Sequence, residues 1–174
     1  MKVNFYRCPV CGNIIVKMFD GGAVPVCCGK PMMLLEANTT DGKTEYHVPV
    51  IEKVDDRRLR VKIGKEPHPM KKEHYIQFIF VETCSKQGKH AGRFVWLKPE
   101  DTPQCTFCVC TEDVVNVYEY CNVHGLWQLM VTGFDESKKS ADDEVKGDAE
   151  KCGVYPAFCG ECPKDPREAY YSCD

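Results

Sequence analysis

The sequence predicts a mostly β protein in which an antiparallel β-sandwich follows a small cysteine-rich module and precedes a cysteine-containing tail. Between residues 38 and 133, six or seven short runs rich in Val, Ile, Phe, Tyr and Trp are separated by turn signals. Several runs alternate apolar and polar residues, as half-buried strands do. No helical period of useful length occurs, so we expect no long helix.

Composition limits the class of protein. The 174 residues are 43% hydrophobic, enough to bury a core, and the net charge of −3 argues against a nucleic-acid binder. No apolar run has the length of a transmembrane helix, and the N-terminus lacks the apolar region of a secretory signal. We therefore expect a cytoplasmic protein with no membrane partner. The 13 cysteines then indicate metal binding rather than a disulfide framework.

Composition also divides the chain into three parts. Residues 1–37 hold four cysteines and are too short for a core of their own, so a bound metal would have to stabilise them. Residues 38–133 hold the strand runs HVPVIEKV, RLRVKIG, HYIQFIFVET, GRFVWLKP, VVNVYEYC and LWQLMVTGF, and CTFCVC lies in or next to a further strand. Residues 134–174 begin with a charged run that predicts a solvated linker, and four more cysteines follow it.

The first four cysteines have the pattern of a metal site. Cys8 and Cys11 in CPVCG are spaced as in a metal-binding knuckle, whereas Cys27 and Cys28 are adjacent, which predicts a distorted tetrahedron. A glycine follows Cys11 and another follows Cys28, where a turn with positive φ is expected. Redox-active iron, a structural zinc and four unliganded thiols are the three alternatives.

A second candidate site combines histidines with one cysteine. Singly, each histidine is typical of a surface or a satisfied core position, and we expect His90 to be solvent-exposed. Cys121 and His124 share a tight turn, so both side chains could bind one ion. Four imidazoles and a thiolate exceed the four ligands of structural zinc, whereas iron accepts five or six and would keep a position open for a small anion. The four histidines at strand ends or in loops are His47, His68, His74 and His124.

Taken together, CPVCG…CCG, EYHVPV, HPM…HYI and CNVHGLW resemble the desulfoferrodoxins, the two-centre superoxide reductases, over about residues 1–133. The resemblance implies a desulforedoxin-like N-terminal domain with a four-cysteine iron (centre I) and an immunoglobulin-like β-sandwich with the active iron (centre II). It places centre I, where zinc can substitute for iron, on Cys8, Cys11, Cys27 and Cys28. It places centre II on His47, His68, His74 and His124, with Cys121 as the axial ligand.

The resemblance also implies an activity. Superoxide would be reduced by one electron to hydrogen peroxide at a ferrous iron whose sixth position, opposite Cys121, is open. Glu45 would occupy that position when the iron is oxidised. A rubredoxin-like protein would donate electrons, and the protein would be a homodimer. Two alternatives from other classes are an iron electron-transfer protein without catalysis and a structural zinc-binding β-sandwich.

One residue departs from the family pattern. Tyr46 stands between Glu45 and His47, where the family commonly has a lysine that is thought to attract superoxide. Tyrosine is uncharged at neutral pH but can donate a hydrogen bond. Residues 52–74 carry eight Lys or Arg against five Asp or Glu, which is compatible with an ordinary solvated face and also with attraction of an anion. We expect Lys71 or Lys72 to replace the missing lysine in part.

Eight cysteines remain outside the two centres. They are compatible with unliganded thiols, with an extra zinc or iron in the tail, and with a tail disulfide or redox relay. They are Cys84, Cys105, Cys108, Cys110, Cys152, Cys159, Cys162 and Cys173.

Overall fold

The computed structural model describes residues 3–132. They form two compact units that divide between Thr40 and Asp41. The predicted linker and tail, with their four cysteines and the third metal, lie outside the described residues. Within the described part of the chain, no helix has the length and apolar character needed to cross a membrane.

The first unit consists of short antiparallel strands around a very small core. Cys8 is fully buried in this core beside Tyr6 and Met32. So few buried side chains provide little hydrophobic stabilisation, which agrees with the expectation that a metal stabilises this part. The strands are β1 (Asn4–Arg7), which pairs with β2 (Ile14–Lys17) and β5 (Met33–Leu34), and β3 (Val26–Cys27), which pairs with β4 (Lys30–Pro31).

The second unit contains two antiparallel sheets. Its elements are α1 (Thr44–His47), β6 (Pro49–Lys53), β7 (Arg58–Ile63), β8 (Ile76–Cys84), β9 (His90–Trp96), β10 (Gln104–Cys108), a 3₁₀ helix (Thr111–Asp113), β11 (Val114–Cys121) and β12 (Gly125–Met130). One sheet has the strand order β10-β7-β6 and the other the order β12-β11-β8-β9. The predicted mostly β class is therefore confirmed.

The core of the second unit forms from alternating strand residues. Leu59, Val61 and Ile63 on β7 are at most 1% exposed, and they belong to the same buried cluster as Val81 on β8 and Val117 on β11. Side chains of successive strand residues point to opposite faces, so each strand contributes every second residue to this cluster. Loops, strand ends and the short helix α1 beside this core hold the histidines.

Two histidines lie in local structure that differs from the prediction, whereas His90 is solvent-exposed as predicted. His47 ends the short helix α1 instead of beginning a strand, and β6 starts two residues later at Pro49. His74 precedes β8 and forms an isolated bridge with Lys71. His90 begins β9 because it pairs with Cys84, and its Nδ1 lies 3.3 Å from a carboxylate oxygen of Glu82.

Gly64, which follows β7, should be the least replaceable glycine near the histidines. Its φ is +80°, and a Cβ there would lie 2.5 Å from the Glu66 carbonyl oxygen and 2.6 Å from that of Tyr46. Gly64→Ala should therefore lower the free energy of unfolding by about 2–3 kcal/mol, measured by urea denaturation. Gly88→Ala is the matched control, because its φ is +76° but its Cβ would meet open space. Equal losses in the two variants would contradict the steric argument.

Candidate metal centres

Four imidazoles converge beside the core of the second unit. His47 Nε2 lies 2.9 Å from His124 Nδ1 and 3.2 Å from His68 Nε2, and His74 Nε2 lies 3.1 Å from His124 Nδ1. Neighbouring rings are steeply inclined, at interplanar angles of 71–81°. Two ligands at right angles, each about 2.1 Å from one ion, would be about 3.0 Å apart. The observed spacings therefore fit four ligands of a single metal ion.

The hydrogen bonds of two imidazoles fix which nitrogens face the centre. His47 Nδ1 lies 2.8 Å from the Lys43 carbonyl oxygen, and His68 Nδ1 lies 2.6 Å from the Pro69 carbonyl oxygen. A carbonyl oxygen only accepts, so both Nδ1 atoms carry the proton and both Nε2 atoms present lone pairs. These two lone pairs face each other at 3.2 Å. A cation between them removes the repulsion, so the structure itself fits a metal at this position.

The protonation state of the histidines also suits metal binding. Burial lowers the pKa of His68 to about 4, against the opposing effect of its hydrogen bond to Pro69. Burial likewise lowers the pKa of His47 and of His74. These rings are therefore neutral at pH 7, which is the form that binds metals.

Cys121 provides a fifth donor from the end of β11. Its side chain is fully buried, and its Sγ lies 3.7 Å from His124 Nδ1. Burial raises the pKa of the thiol, while the backbone amides of His124 and Val123, which donate to the sulfur, act in the opposite direction. A metal cation would favour the thiolate further. The Sγ atom and the four imidazole nitrogens all lie within 4.8 Å of one another.

Backbone and side-chain hydrogen bonds hold these ligand-bearing segments together. The Asn122 side chain accepts from the Tyr75 amide at 2.8 Å and donates to the Glu73 carbonyl at 3.0 Å, which fixes the turn of His124 beside the segment of His74. Gly125 ends that turn with a φ of +74°, a conformation that glycine adopts without strain. The position of His124 relative to His74 therefore depends on the two hydrogen bonds of the Asn122 side chain.

His47 is also fixed by packing. The Trp127 ring stacks on it with centroids 4.8 Å apart and an interplanar angle of 20°. A Cβ at Gly42 would lie 2.7 Å from the Trp127 ring and 3.2 Å from the His47 ring. Gly42 therefore allows the chain to pass closely over the stacked pair, a requirement that the sequence analysis did not recognise.

A cavity of about 330 Å³ adjoins the imidazoles, and Cys121 does not line it. Tyr46 reaches this cavity, as does Lys43, which the sequence analysis did not single out. The sequence also predicts that three other residues act as a sixth ligand or attract superoxide, and these three are exposed and do not line the cavity. The lining residues are Asp41, Gly42, Lys43, Tyr46, His47, Pro69, His74 and His124; the exposed residues are Glu45, Lys71 and Lys72.

Four cysteine sulfurs of the first unit also come together. Cys11 Sγ lies 3.6 Å from Cys27 Sγ, which lies 3.9 Å from Cys28 Sγ. Sulfurs at the corners of a tetrahedron about 2.3 Å from one ion would be about 3.8 Å apart. Cys28 has a φ of +52°, in the left-handed region that a non-glycine residue seldom adopts, and this strained backbone brings two adjacent sulfurs to one site.

Backbone amides near the four cysteines favour the thiolate form of Cys8, which is the form that binds a cation. The amides of Cys11 and Val10 donate to Cys8 Sγ at 3.5 and 3.4 Å, and they lower the pKa of that thiol to about 6. Hydrogen bonding with neighbouring thiols, chiefly Cys11, raises the pKa of Cys28 to about 12. A metal cation would displace the protons that the cluster otherwise retains.

Comparison with known proteins assigns the family. The desulfoferrodoxin model matches residues 39–130, and the model of the desulfoferrodoxin N-terminal domain matches residues 1–35. A desulfoferrodoxin of Syntrophotalea carbinolica is 44% identical over 126 residues, covering 72% of this chain and 94% of that protein. The chain belongs to the desulfoferrodoxin family. A desulfoferrodoxin of Nitratidesulfovibrio vulgaris is 42% identical over 127 residues, covering 73% of this chain and 95% of that protein.

Two proteins named superoxide reductases are also similar to this desulfoferrodoxin family member. That of Pyrococcus abyssi is 36% identical over 100 residues, covering 51% of this chain and 87% of that protein. The crystal structure of superoxide reductase from Treponema pallidum matches with a TM-score of 0.59 and 27% identity, covering 74% of this chain and 99% of that chain. The two donor groups are consistent with the two iron centres of desulfoferrodoxins.

Four cysteines among residues 3–132 lie outside the two groups of potential metal ligands. Cys84, Cys105, Cys108 and Cys110 are half-buried and form no disulfide with one another, and none belongs to a group of potential metal ligands there. Burial raises the pKa of Cys110, which disfavours the reactive thiolate. These observations agree with the alternative of unliganded thiols for these residues.

Proposed function

We propose that this protein is a superoxide reductase that reduces superoxide by one electron to hydrogen peroxide at a non-haem iron held by His47, His68, His74, His124 and Cys121. The facing lone pairs of His47 and His68, 3.2 Å apart, are the observation that carries the proposal, because they need a cation. Five potential donors favour iron over structural zinc, which usually has four.

The cavity supports a reaction at this metal rather than electron transfer alone. Three of the imidazoles line it and Cys121 does not, so a small molecule can approach from a side that the thiolate leaves open. When bound, iron supplies the single electron that superoxide takes up. The overall change adds one electron and two protons to superoxide, which gives hydrogen peroxide without releasing oxygen.

The residues of the chain have separate roles in this proposal. The carbonyl groups of Lys43 and Pro69 orient two imidazoles through their Nδ1 protons. Tyr46 lies at the cavity and can donate a hydrogen bond to a bound anion. Glu45 is exposed on α1 outside the cavity, so its role as a sixth ligand of the oxidised iron requires movement of that segment.

Loading with different metals tests the proposal. Iron-loaded protein should consume superoxide in the presence of a reductant, and pulse radiolysis measures this consumption. Zinc-loaded protein should not consume superoxide, because zinc has no redox chemistry. Equal consumption by the two forms would contradict reduction at iron. Visible absorption at the ferric thiolate centres identifies the iron-loaded form, because a zinc protein is colourless.

Electron supply and assembly are further parts of the proposal. Cys11 and Cys28 are exposed, so a rubredoxin-like donor could approach the four-cysteine iron closely.

A homodimer would cover apolar side chains that the first unit exposes, which are Val10, Met18, Phe19, Val24, Val26, Met33 and Leu34. Analytical ultracentrifugation tests the dimer. We also propose that the protein is located in the cytoplasm, where thiols stay reduced.

Lys71 and Lys72 are proposed to attract superoxide from a distance. Both are exposed, and the backbone of Lys71 exchanges hydrogen bonds of 2.9 and 3.0 Å with that of His74. Replacing both by alanine should lower the bimolecular rate with superoxide about threefold at low salt, measured by pulse radiolysis. The difference should vanish at about 0.5 M salt, because screening removes interactions between exposed charges. An unchanged rate at low salt would contradict this proposal.

A further inference from the structure

The cavity is lined by a charged residue, Lys43, that lies outside the sequence motifs on which the family resemblance rests. Among the described residues that line it, Lys43 alone carries a permanent positive charge. His47 and His74 also line the cavity, and they would carry no positive charge as metal ligands, because a metal-ligating histidine is neutral. Asp41 is the other charged lining residue, and it would repel an anion. Apart from the metal, Lys43 is therefore the source of positive charge among the described residues that line the cavity.

The backbone fixes Lys43 next to the imidazoles. Its carbonyl oxygen accepts hydrogen bonds from the Tyr46 amide at 3.1 Å and from His47 Nδ1 at 2.8 Å. Lys43 therefore directly precedes the short helix that carries both Tyr46 and His47. A side-chain substitution leaves this carbonyl oxygen in place, so the charge of Lys43 can be changed without removing the hydrogen bond that orients His47.

The side chain of Lys43 extends over the residue that replaces the family lysine. Its Nζ lies 5.9 Å from the centroid of the Tyr46 ring, above the ring face. The negative face of an aromatic ring attracts an ammonium group at this distance. The Tyr46 ring thus keeps the ammonium group of Lys43 close to position 46, where the family commonly has a lysine.

Resting on the proposed function, we propose that Lys43 supplies the positive charge that draws superoxide, or another small anion, into the cavity. Tyr46 positions the ammonium group by offering it the face of its ring. Lys43 is exposed, as Lys71 and Lys72 are, but unlike them it lines the cavity. Its charge therefore acts on an anion there over a short distance, and its contribution should be less sensitive to salt than theirs. Without Lys43, the remaining charged side chain among the described lining residues would be that of Asp41, which is negative.

The experiment compares Lys43→Gln with Lys43→Arg and with Lys86→Gln. The first variant removes the charge, the second retains it, and the third makes the same change in net charge at an exposed residue away from the cavity. For iron-loaded protein, Lys43→Gln should lower the bimolecular rate with superoxide about three- to tenfold at low salt. Part of this loss should persist at about 0.5 M salt, whereas the other two variants should stay within about twofold of the unmodified protein.

A second readout does not depend on superoxide reduction. Azide binding to the zinc-loaded protein, measured by isothermal titration calorimetry, should weaken about three- to tenfold in Lys43→Gln and stay near the original affinity in Lys43→Arg. Unchanged azide affinity and an unchanged rate in Lys43→Gln would overturn the inference. If the unmodified iron-loaded protein fails to consume superoxide, the proposed function fails, while weaker azide binding in Lys43→Gln would still support the role of Lys43 in attracting anions.

Discussion

Replacing His68 by alanine is expected to remove the metal from the histidine centre while the four-cysteine centre stays loaded. His68 is 3% exposed, and its Nε2 lone pair faces that of His47 at 3.2 Å. Its loss removes one of five potential ligands and leaves a buried space beside the site. The affinity of this centre for iron should fall by more than about 100-fold, the upper range for loss of an outer-shell partner. Elemental analysis should show one metal ion fewer per chain.

His90→Ala is the control for this result. His90 lies on β9 and belongs to neither group of potential ligands, so both centres should keep their metal. His68→Gln fills more of the vacated space than alanine does, and should also lose the metal if ligation rather than packing is decisive. Circular dichroism verifies that each variant is folded. A His68→Ala protein that is folded and retains both metals would contradict the ligand assignment.

Replacing Cys121 by serine is expected to remove the thiolate-to-iron absorption of the histidine centre and to lower superoxide reduction by at least about tenfold. The change exchanges one atom of a fully buried side chain, so the strand pairing of β11 should survive. As a ligand, the Cys121 thiolate would donate electron density to iron and adjust its reduction potential. A serine oxygen is a poorer donor, so the potential of this centre should change. Visible spectroscopy of the oxidised protein and pulse radiolysis measure the two effects.

Cys84→Ser is the matched control for the thiolate. Cys84 is a half-buried free thiol at the end of β8 and lies outside both groups of potential ligands. Its replacement should leave both the spectrum and the rate unchanged. If Cys121→Ser retained the absorption band and the full rate, the thiolate would have no part in the reaction, and the proposed five-ligand centre would be wrong.

The strands could be predicted from the sequence because their apolar patterns follow the fold closely. β11 spans Val114–Cys121, the limits of the run VVNVYEYC, and its pattern places Val117 and Cys121 on the side of the core. β10 was less clear, because the sequence placed CTFCVC only in or next to a strand. In the structure it is a strand whose Phe107 lies in the core. Alternation of buried residues along the strand, rather than cysteine spacing, decided its structure.

The candidate ligands could be proposed because histidine and cysteine have few other roles in such a pattern. The structure brings the nine predicted ligands into two groups. Their exact local structure could not be predicted. His47 lies on a helix of only four residues, too short to give a periodic signal.

The residues that support the ligands gave weaker signals. Gly42 matters through its contact with Trp127, a residue far away in the sequence. Asn122 matters through hydrogen bonds to the segment that precedes β8. Lys43 was indistinguishable from other surface lysines until the cavity was known. Contacts between distant segments determine all three roles, and a single sequence does not contain them.

The number of peroxide molecules formed per superoxide consumed tests the central claim most directly. The measurement uses the iron-loaded protein with an excess of reductant, known amounts of superoxide, and detection of both peroxide and oxygen. A superoxide reductase should form one peroxide per superoxide, consume one electron from the reductant and release no oxygen. Half an equivalent of peroxide together with released oxygen would indicate dismutation and would contradict the proposed function.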